Sequence, residues 1–541
     1  MTTTKFAYKY QTAFLCTIFA IINLTTLFGQ SAHLLGRKDG SLERLYLESI
    51  REGYIPPTTV QTISEAEARF YGLIGTKTHS TEPFWKGGVS IQPFVVGWYG
   101  IESTQWDEGY SRRLADFSLI NRLTLNEPIL SAHISFGSDS FYATTAVDFS
   151  TDSLIKYIDS NGVLGFWEPM EYFSWWTFPK EAYLSWSTDQ TTVAAGRFPT
   201  GIGLGNANLF LNGQAFWYDQ LQFSWWSKNF RFFAMWGTSS SHLSKEEYAI
   251  QTNTNPYNTD DNLGWDANDN HNHASQSTIP FKMFTYHRLE FKPLTWLGLG
   301  LGEMQMIGGK VPEMSNLLPG GYWHNTYSSG NTNVMMIADL WTVPLPGLLI
   351  YGEFLMDDSR APSEGHTSKP NCWGWEAGAT AVLPVAPSGW NFSLNVEYSH
   401  VDAWTYGRWQ PYLTMYQRQI LTGGWSGIDI PLGHPEGNDV NQAGIRFTAL
   451  GKESRRIEFG YTWISKGPLY LGRIETVTKN GKTFPAPVYF DYDDWAGSEE
   501  LKRITGSTRK YSHVFSLRCV WPILNQLTLD SEIDYRIIQN Y

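Results

Sequence analysis

A chain of 541 residues with net charge −12 and no basic tract has room for several soluble domains or one large membrane barrel, and is a poor partner for nucleic acid. Charged residues make up only 17% of it, while aromatics reach 16%, with 24 Trp and 29 Tyr. Rings in that excess are hard to place in a soluble core; they suit the girdles at the two rims of a transmembrane barrel, or surfaces that stack on sugars. A mean hydropathy of −0.29 does not exclude a membrane protein, because strands that alternate apolar and polar residues cancel in an average.

Residues 1–30 read as a secretory signal peptide: Lys5 and Lys9 open it, 13–28 is apolar, and 29–32 resembles cleavage surroundings. Asn23, Thr25 and Thr26 break the run, which favours a leader over a membrane anchor. Leu15 is not the small residue that lipidation of Cys16 would need. No later segment has about 18 apolar residues in a row, so any membrane crossing must use strands. Residues 41–75 carry helical spacing. Leu42, Leu45, Tyr46, Ser49 and Ile50 share a face, Gly53 stops it, and Pro56 and Pro57 follow. Ser64 caps a second helix with Glu65 and Glu67 in its first turn and Ala66, Phe70, Tyr71 and Ile74 on its apolar face. This predicts a small α-helical module over 41–75, ahead of the strands.

From Val89 the period switches to two. Phe117, Leu119, Leu123 and Leu125 alternate with Asp116, Ser118, Arg122 and Thr124; a turn at 126–128 leads to Leu130, Ala132, Ile134 and Phe136. Trp390, Phe392, Leu394, Val396 and Tyr398 alternate with Asn391, Ser393, Asn395 and Glu397. Ala443, Ile445, Phe447 and Ala449 are answered by Ile457, Phe459, Tyr461 and Trp463. The last stretch sets Leu527, Leu529, Ile533, Tyr535 and Ile537 against Thr528, Asp530, Glu532, Asp534 and Arg536. Such a strand has one oily and one polar face. There are about 18 such segments, each near the ~10 residues that cross a bilayer at a tilt. Short turns at 227–229, 293–294, 343–347, 384–388, 451–454 and 522–526 alternate with long polar stretches at 238–281, 307–331, 400–440 and 466–509. Short turns on one rim and long loops on the other are the habit of outer-membrane barrels. The predicted fold is all-β: a large antiparallel transmembrane β-barrel over 86–541, localised to the cell outer membrane. If every short turn is periplasmic, the last strand runs outward, which leaves the strand number open by two or more.

At several of these places the chain resembles the capsule-assembly (Wzi-type) outer-membrane protein family. The similar segments are the helical opening with Gly53-Tyr54-Ile55-Pro56, then Gly196-Arg197-Phe198-Pro199-Thr200-Gly201 with Asn208-Leu209-Phe210-Leu211. They continue at Gly302-Glu303 with Gly308-Gly309, and at Tyr351-Gly352-Glu353-Phe354 with Asp357-Asp358. The last is Pro431-Leu432-Gly433-His434-Pro435-Glu436-Gly437-Asn438-Asp439. The resemblance implies a barrel of about 18 strands with a periplasmic helical element. It also implies a non-enzymatic role, holding capsular polysaccharide or exopolysaccharide at the cell surface. The alternative is a porin or channel for small polar solutes, suggested by the charged inward faces.

Candidate glycan-binding residues follow from chemistry. Trp167, Trp323 and Trp404 offer faces for sugar rings, against the plainer reading of interfacial girdle. Arg197, Glu303, Glu353, Asp357 and Asp358 offer hydrogen bonds to hydroxyls. The plainer and favoured reading of the acids is a salt-bridge network in a wide lumen, with Arg197, Arg288, Arg446, Arg456 and Arg536 as partners. The 238–281 stretch has Asp266, Asn268 and Asn270 at calcium-loop spacing, but His271 stands where the turn glycine belongs, which favours a solvated loop. His242, His287, His324, His400 and His434 have Ser or Asp nearby, yet no G-x-S-x-G or H-E-x-x-H occurs. The expectation is therefore no enzyme, no metal and no cofactor, with a hydrolase as a third reading. Cys372 and Cys519 are expected as two unpaired thiols rather than a disulfide, and the protein as a monomer contacting outer-membrane lipid and polysaccharide.

Overall fold

The computed structural model describes residues 32–75, 84–91, 130–150, 175–251, 279–324, 332–359, 371–383, 389–487 and 509–540, apart from a few single positions and turn tips within those spans. The expected leader, the strand at 117–125 with its turn, and the calcium-like run lie outside the described residues.

Among the described residues, eighteen strand segments close into one barrel. Trp175–Thr177 and Ala182–Ser187 both pair with Phe141–Ser150, at successive stretches of it. The wall therefore counts as 17 to 18 strands, in agreement with the alternating pattern. Neighbours in sequence pair antiparallel in unbroken register over most of the wall, as between Asn391–Val401 and Val440–Leu450. The final strand, Leu527–Asn540, starts at the short-turn rim and runs away from it, beside Phe84–Ile91.

Exposure follows the period of two. Leu394, Val396, Ile445, Phe459, Leu517 and Ile533 point outward and are exposed, while Asn391, Ser393, Glu397, Thr448 and Ser512 point inward and are buried. This is the inside-out arrangement that lipid requires, with apolar residues outside and polar ones within. Rings collect near the short-turn rim, where Phe230 stacks on Phe291 and Trp390 lies against Phe392 and Trp521.

The helical module plugs that rim. It consists of Ser41–Arg51 and Glu65–Phe70, with Leu34–Gly36 paired to Thr62–Ser64. Ser64 caps the second helix as its sequence predicts, accepting the Glu67 N–H. The module holds turns from across the wall. The Ile55 N–H donates to Thr295 O at 3.0 Å, Gly347 N–H to Ile50 O at 2.8 Å, and Tyr71 OH to Ser227 O at 3.0 Å. Arg51 reaches Asn391 at 2.7 Å, and Arg44 bonds the Gly451 carbonyl. Gly53, with φ 89°, turns the chain where a Cβ would lie 3.2 Å from Pro346. Beneath the module, Glu67 receives Arg231 Nε at 2.6 Å, both side chains fully buried. Cys372 and Cys519 are not joined in a disulfide.

Removing one partner of that pair strands a buried charge, which costs about 3–5 kcal/mol. Glu67→Ala is expected to release the module while the wall persists. Amide exchange over 41–70 should rise by orders of magnitude, with heat-modifiable migration on gels unchanged.

Candidate functional site

Between Thr191–Phe198 and Tyr218–Trp226 the chain leaves the wall and folds into the barrel interior. This insert, 199–217, has no period-two pattern; it has glycines at 201, 203, 205 and 213 and the run Leu209, Phe210, Leu211. Its backbone continues the plug: Gln61 N–H donates to Gly201 O at 2.8 Å, and Gly203 N–H to Thr59 O at 2.9 Å. Two wall carboxylates then take its amides. Glu353 accepts the Leu209 N–H at 3.0 Å, and Glu397 accepts the Asn206 N–H at 2.9 Å. Arg446 closes on the Asn206 side-chain oxygen at 2.6 Å. Glycine is required for this approach: a Cβ would sit 2.3 Å from a Glu353 oxygen at Gly203, where φ is 126°, and 1.7 Å from a Glu376 oxygen at Gly205. The apolar run packs into a core with Met304, Met306, Met335 and Ile337.

Further from the plug, the insert meets loops from the opposite rim. Asn212 N–H donates to Leu432 O at 2.6 Å, and Tyr406 OH to Leu209 O at 2.9 Å. Tyr406 adopts φ 69°, with its N–H on Asp357 at 2.7 Å, and Asp357 also pairs with Arg408 at 3.2 Å. Gly433 lies so close to the Tyr406 ring that a Cβ would be 2.4 Å from it. His434, fully buried, accepts the Glu436 N–H on Nδ1 at 3.1 Å, so its Nε2–H is the donor to Ser399 Oγ at 2.9 Å. A second knot is Arg418, which forks to Asp429 at 2.6 and 2.8 Å and to Glu247 at 2.9 and 3.0 Å. It ties the hairpin of Tyr416–Leu421 and Ser426–Pro431 to the helix Lys245–Gln251. Lys282 lies over the Tyr416 ring at 3.5 Å and donates to Pro411 O and Thr414 O. Long loops are thus folded into an outer cap.

The sequence-derived site residues separate into groups. Glu353 and Asp357 point inward, and each holds a backbone N–H. Asp358 follows a register shift, takes the Ser359 N–H at 2.8 Å and is partly exposed at the outer rim. Trp404 is partly exposed in the same 402–408 turn that carries Arg408. Trp167 lies outside the described residues, and so does the side chain of Arg536. Two expectations of a lumen network are corrected. Glu303 shares a face with exposed Leu299 and Leu301 and points outward; Arg197, opposite Asp219 and in line with Leu184 and Leu221, also points outward and forks to Asp219 at 2.6 and 2.7 Å. Arg197 lies at the outer end of its strand, where a polar outward side chain meets headgroups rather than hydrocarbon, and Glu303, mid-strand, is covered by the backbone of a loop. Trp323 is buried against the His287 ring at 4.1 Å, on the outer wall. Arg288 does point inward and forks to Asp339 at 2.9 and 3.0 Å, and Arg456 pairs with Glu43 and Glu458.

The Ser399–His434 contact lacks a hydrolase arrangement, since His434 Nδ1 meets a backbone N–H where an acid would be needed to orient a base. His400 sits between Asn441 and Asp402 on the outward face. Among the described residues, no group of three or more His, Cys, Asp or Glu is arranged to hold a metal. Sequence reasoning missed Asn206, Glu376 and Arg418, and saw Glu397 only as one residue of a polar strand face. The one available signal was the four glycines at 201–213 interrupting the strand pattern.

A family model described as capsule assembly protein Wzi matches residues 241–537, more than half the chain. Among solved structures the chain is similar to Wzi of Escherichia coli, described as an outer membrane protein involved in group 1 capsule assembly and a carbohydrate-binding β-barrel. The identity is 11% over 95% of this chain and 96% of that one, with a TM-score of 0.52. OccD3 (OpdP) of Pseudomonas aeruginosa aligns at 10% identity over 76% of this chain and 81% of that one, with a TM-score of 0.35. No curated protein matches the chain.

Tyr406→Phe removes the donor to Leu209 O and should destabilise the packing of insert and cap by about 1–3 kcal/mol, read as faster amide exchange over 199–217. Burial pushes His434 down to about 3, with Lys466 adding to the shift. A released loop takes up a proton near the ordinary value of 6.5 that the packed loop refuses. The loop's stability is therefore full above that value and is lost as pH falls from it toward 3. Exchange over 431–440, corrected for its intrinsic rate, should rise on going from pH 7 to pH 4, and His434→Gln should flatten that dependence.

Proposed function

The chain belongs to the Wzi capsule-assembly family of the outer membrane, and on that premise we propose that it holds capsular or related polysaccharide at the cell surface without turning it over. The observation that carries this reading is the occupied interior. Plug, insert and cap form one hydrogen-bonded column from Thr59 to Leu432. A barrel filled this way offers a ligand its outer surface rather than a path through it.

The cap gives that surface the rigidity that weak, repeated sugar contacts need, because ordering costs at the moment of binding are lowered. Its loops are tied down by Arg418 and by the Asp357–Arg408 pair. Trp404 and Asp358 are both partly exposed, a ring and a carboxylate of the kind that engage the C–H face and the hydroxyls of a pyranose. With Trp167 they form the proposed contact set. Glu353 and Asp357 are occupied by backbone donors and act as supports for the surface. Arg197, Glu303 and Trp323 face the outer wall and serve the barrel rather than the glycan.

The test is a deletion strain complemented with wild type, Trp404→Ala, Trp167→Ala or Asp358→Asn, with cell-bound and released polysaccharide measured separately. Deletion should leave total glycan unchanged and move most of it into the medium. Trp404→Ala should shift the bound fraction several-fold toward release. Purified protein should show no steady conductance in planar bilayers. Steady conductance together with unchanged glycan retention would overturn the proposal in favour of a channel for small polar solutes.

A further inference from the structure

The loop after Leu297–Gly308 does not rise above the barrel with the rest of the cap. Its anchor points are on the outward face. Trp236 lies outward, in register with Leu221 and Thr285, and its indole N–H donates to Leu317 O at 2.9 Å. Glu303, also outward and opposite His287, accepts the N–H of Trp323 at 2.7 Å and of His324 at 3.2 Å. Trp323 lays its ring on His287 and donates its own indole N–H to Ser315 O at 3.1 Å. Residues 310–324 therefore form a flap folded down over the outside of the wall.

Beneath the flap lies a polar set, Thr285, His287, Glu303 and Gln305, on strand faces that two residues nearer the other rim carry exposed Leu289 and Leu301. In contact with hydrocarbon each of these polar groups would cost several kcal/mol. The flap takes the place of lipid over them. Its outer surface has the opposite character: Val311 is 67% exposed, Met314 77%, Leu318 58% and Tyr322 57%, while Trp323 beneath is 5%. These apolar residues continue the lipid-facing surface formed by Leu289, Leu299, Leu301 and Leu340. Continuity with that surface, together with the polar set hidden below, identifies the occupant.

We propose that the 310–324 flap is embedded in the outer leaflet, with Val311, Met314, Leu318 and Tyr322 packed against acyl chains. At this sector the barrel presents lipid with a second layer of protein in place of strand faces. Glu303 is then the clasp that holds the flap down, by receiving two consecutive backbone N–H groups.

The test uses full-length protein without its native cysteines, carrying one cysteine at Met314 or at Leu318 labelled with bimane and reconstituted in phosphatidylcholine vesicles. Leu301→Cys serves as the lipid-facing reference and Ser240→Cys as the aqueous one. Expected are blue-shifted emission, at least twofold quenching by brominated acyl chains, and little quenching by iodide at both flap positions. Glu303→Leu should reduce the bromine quenching at Met314 without changing it at Leu301. Iodide quenching comparable to that at Ser240, with no bromine effect, would overturn the proposal and leave the flap in water. Shielding from both quenchers that depends on the protein-to-lipid ratio would also overturn it, and would make the patch a contact between copies. Both labelled positions are exposed, so folding of one variant is enough to decide.

Discussion

Glu353 and Glu397 each reach from the wall to a backbone N–H of a segment that is not part of the wall, and the rest of the interior depends on these bonds. A wide barrel with polar residues inside must satisfy them with water, with one another or with more protein. This chain uses protein. The insert enters between two neighbouring strands, takes the two carboxylates, and hands hydrogen bonds on to the plug below and the cap above. Glycines at 203 and 205 make the approach possible, since a side chain at 203 would meet Glu353 and one at 205 would meet Glu376.

The cap extends the same logic to the outer rim. Arg418 with Asp429 and Glu247 is an ion-pair knot removed from water, and Arg408 with Asp357 is one buried on its acid side. Such pairs contribute little net stability against a well-packed apolar alternative, but breaking one is costly. Their effect is to select one arrangement of long loops. A surface that must present several weak contacts at once gains from being held in one shape.

The wall was legible in the sequence because lipid enforces the period of two over long runs. The stretch from Trp390 to Tyr398 could be assigned face by face. The helical hairpin was legible for the same kind of reason, with Ser64 and Gly53 marking its ends. The insert was not, because close approach of backbone to a carboxylate leaves no periodic trace, only glycines. Glu303 and Arg197 were misplaced because an acidic or basic residue in an alternating strand reads as lumen-facing until a loop is known to cover it or the rim to receive it. The family resemblance drew attention to 196–211 and to 431–439 before the structure linked them through Tyr406 and Asn212. Trp323 looked like a free platform for the same reason that Glu303 looked like a lumen acid: neither the flap nor its fold-back has a local signature.

The tethering of the insert at both ends has a consequence for biogenesis. Phe198 and Tyr218 belong to adjacent strands, so the segment between them enters the lumen as a loop tied to the wall at both ends. Its partners Glu353, Glu397, Leu432 and Arg446 are synthesised much later, and the ring closes only when Leu527–Asn540 joins Phe84–Ile91. The insert therefore reaches its final hydrogen bonds only after most of the wall has been synthesised, and the packing of the interior is a late step.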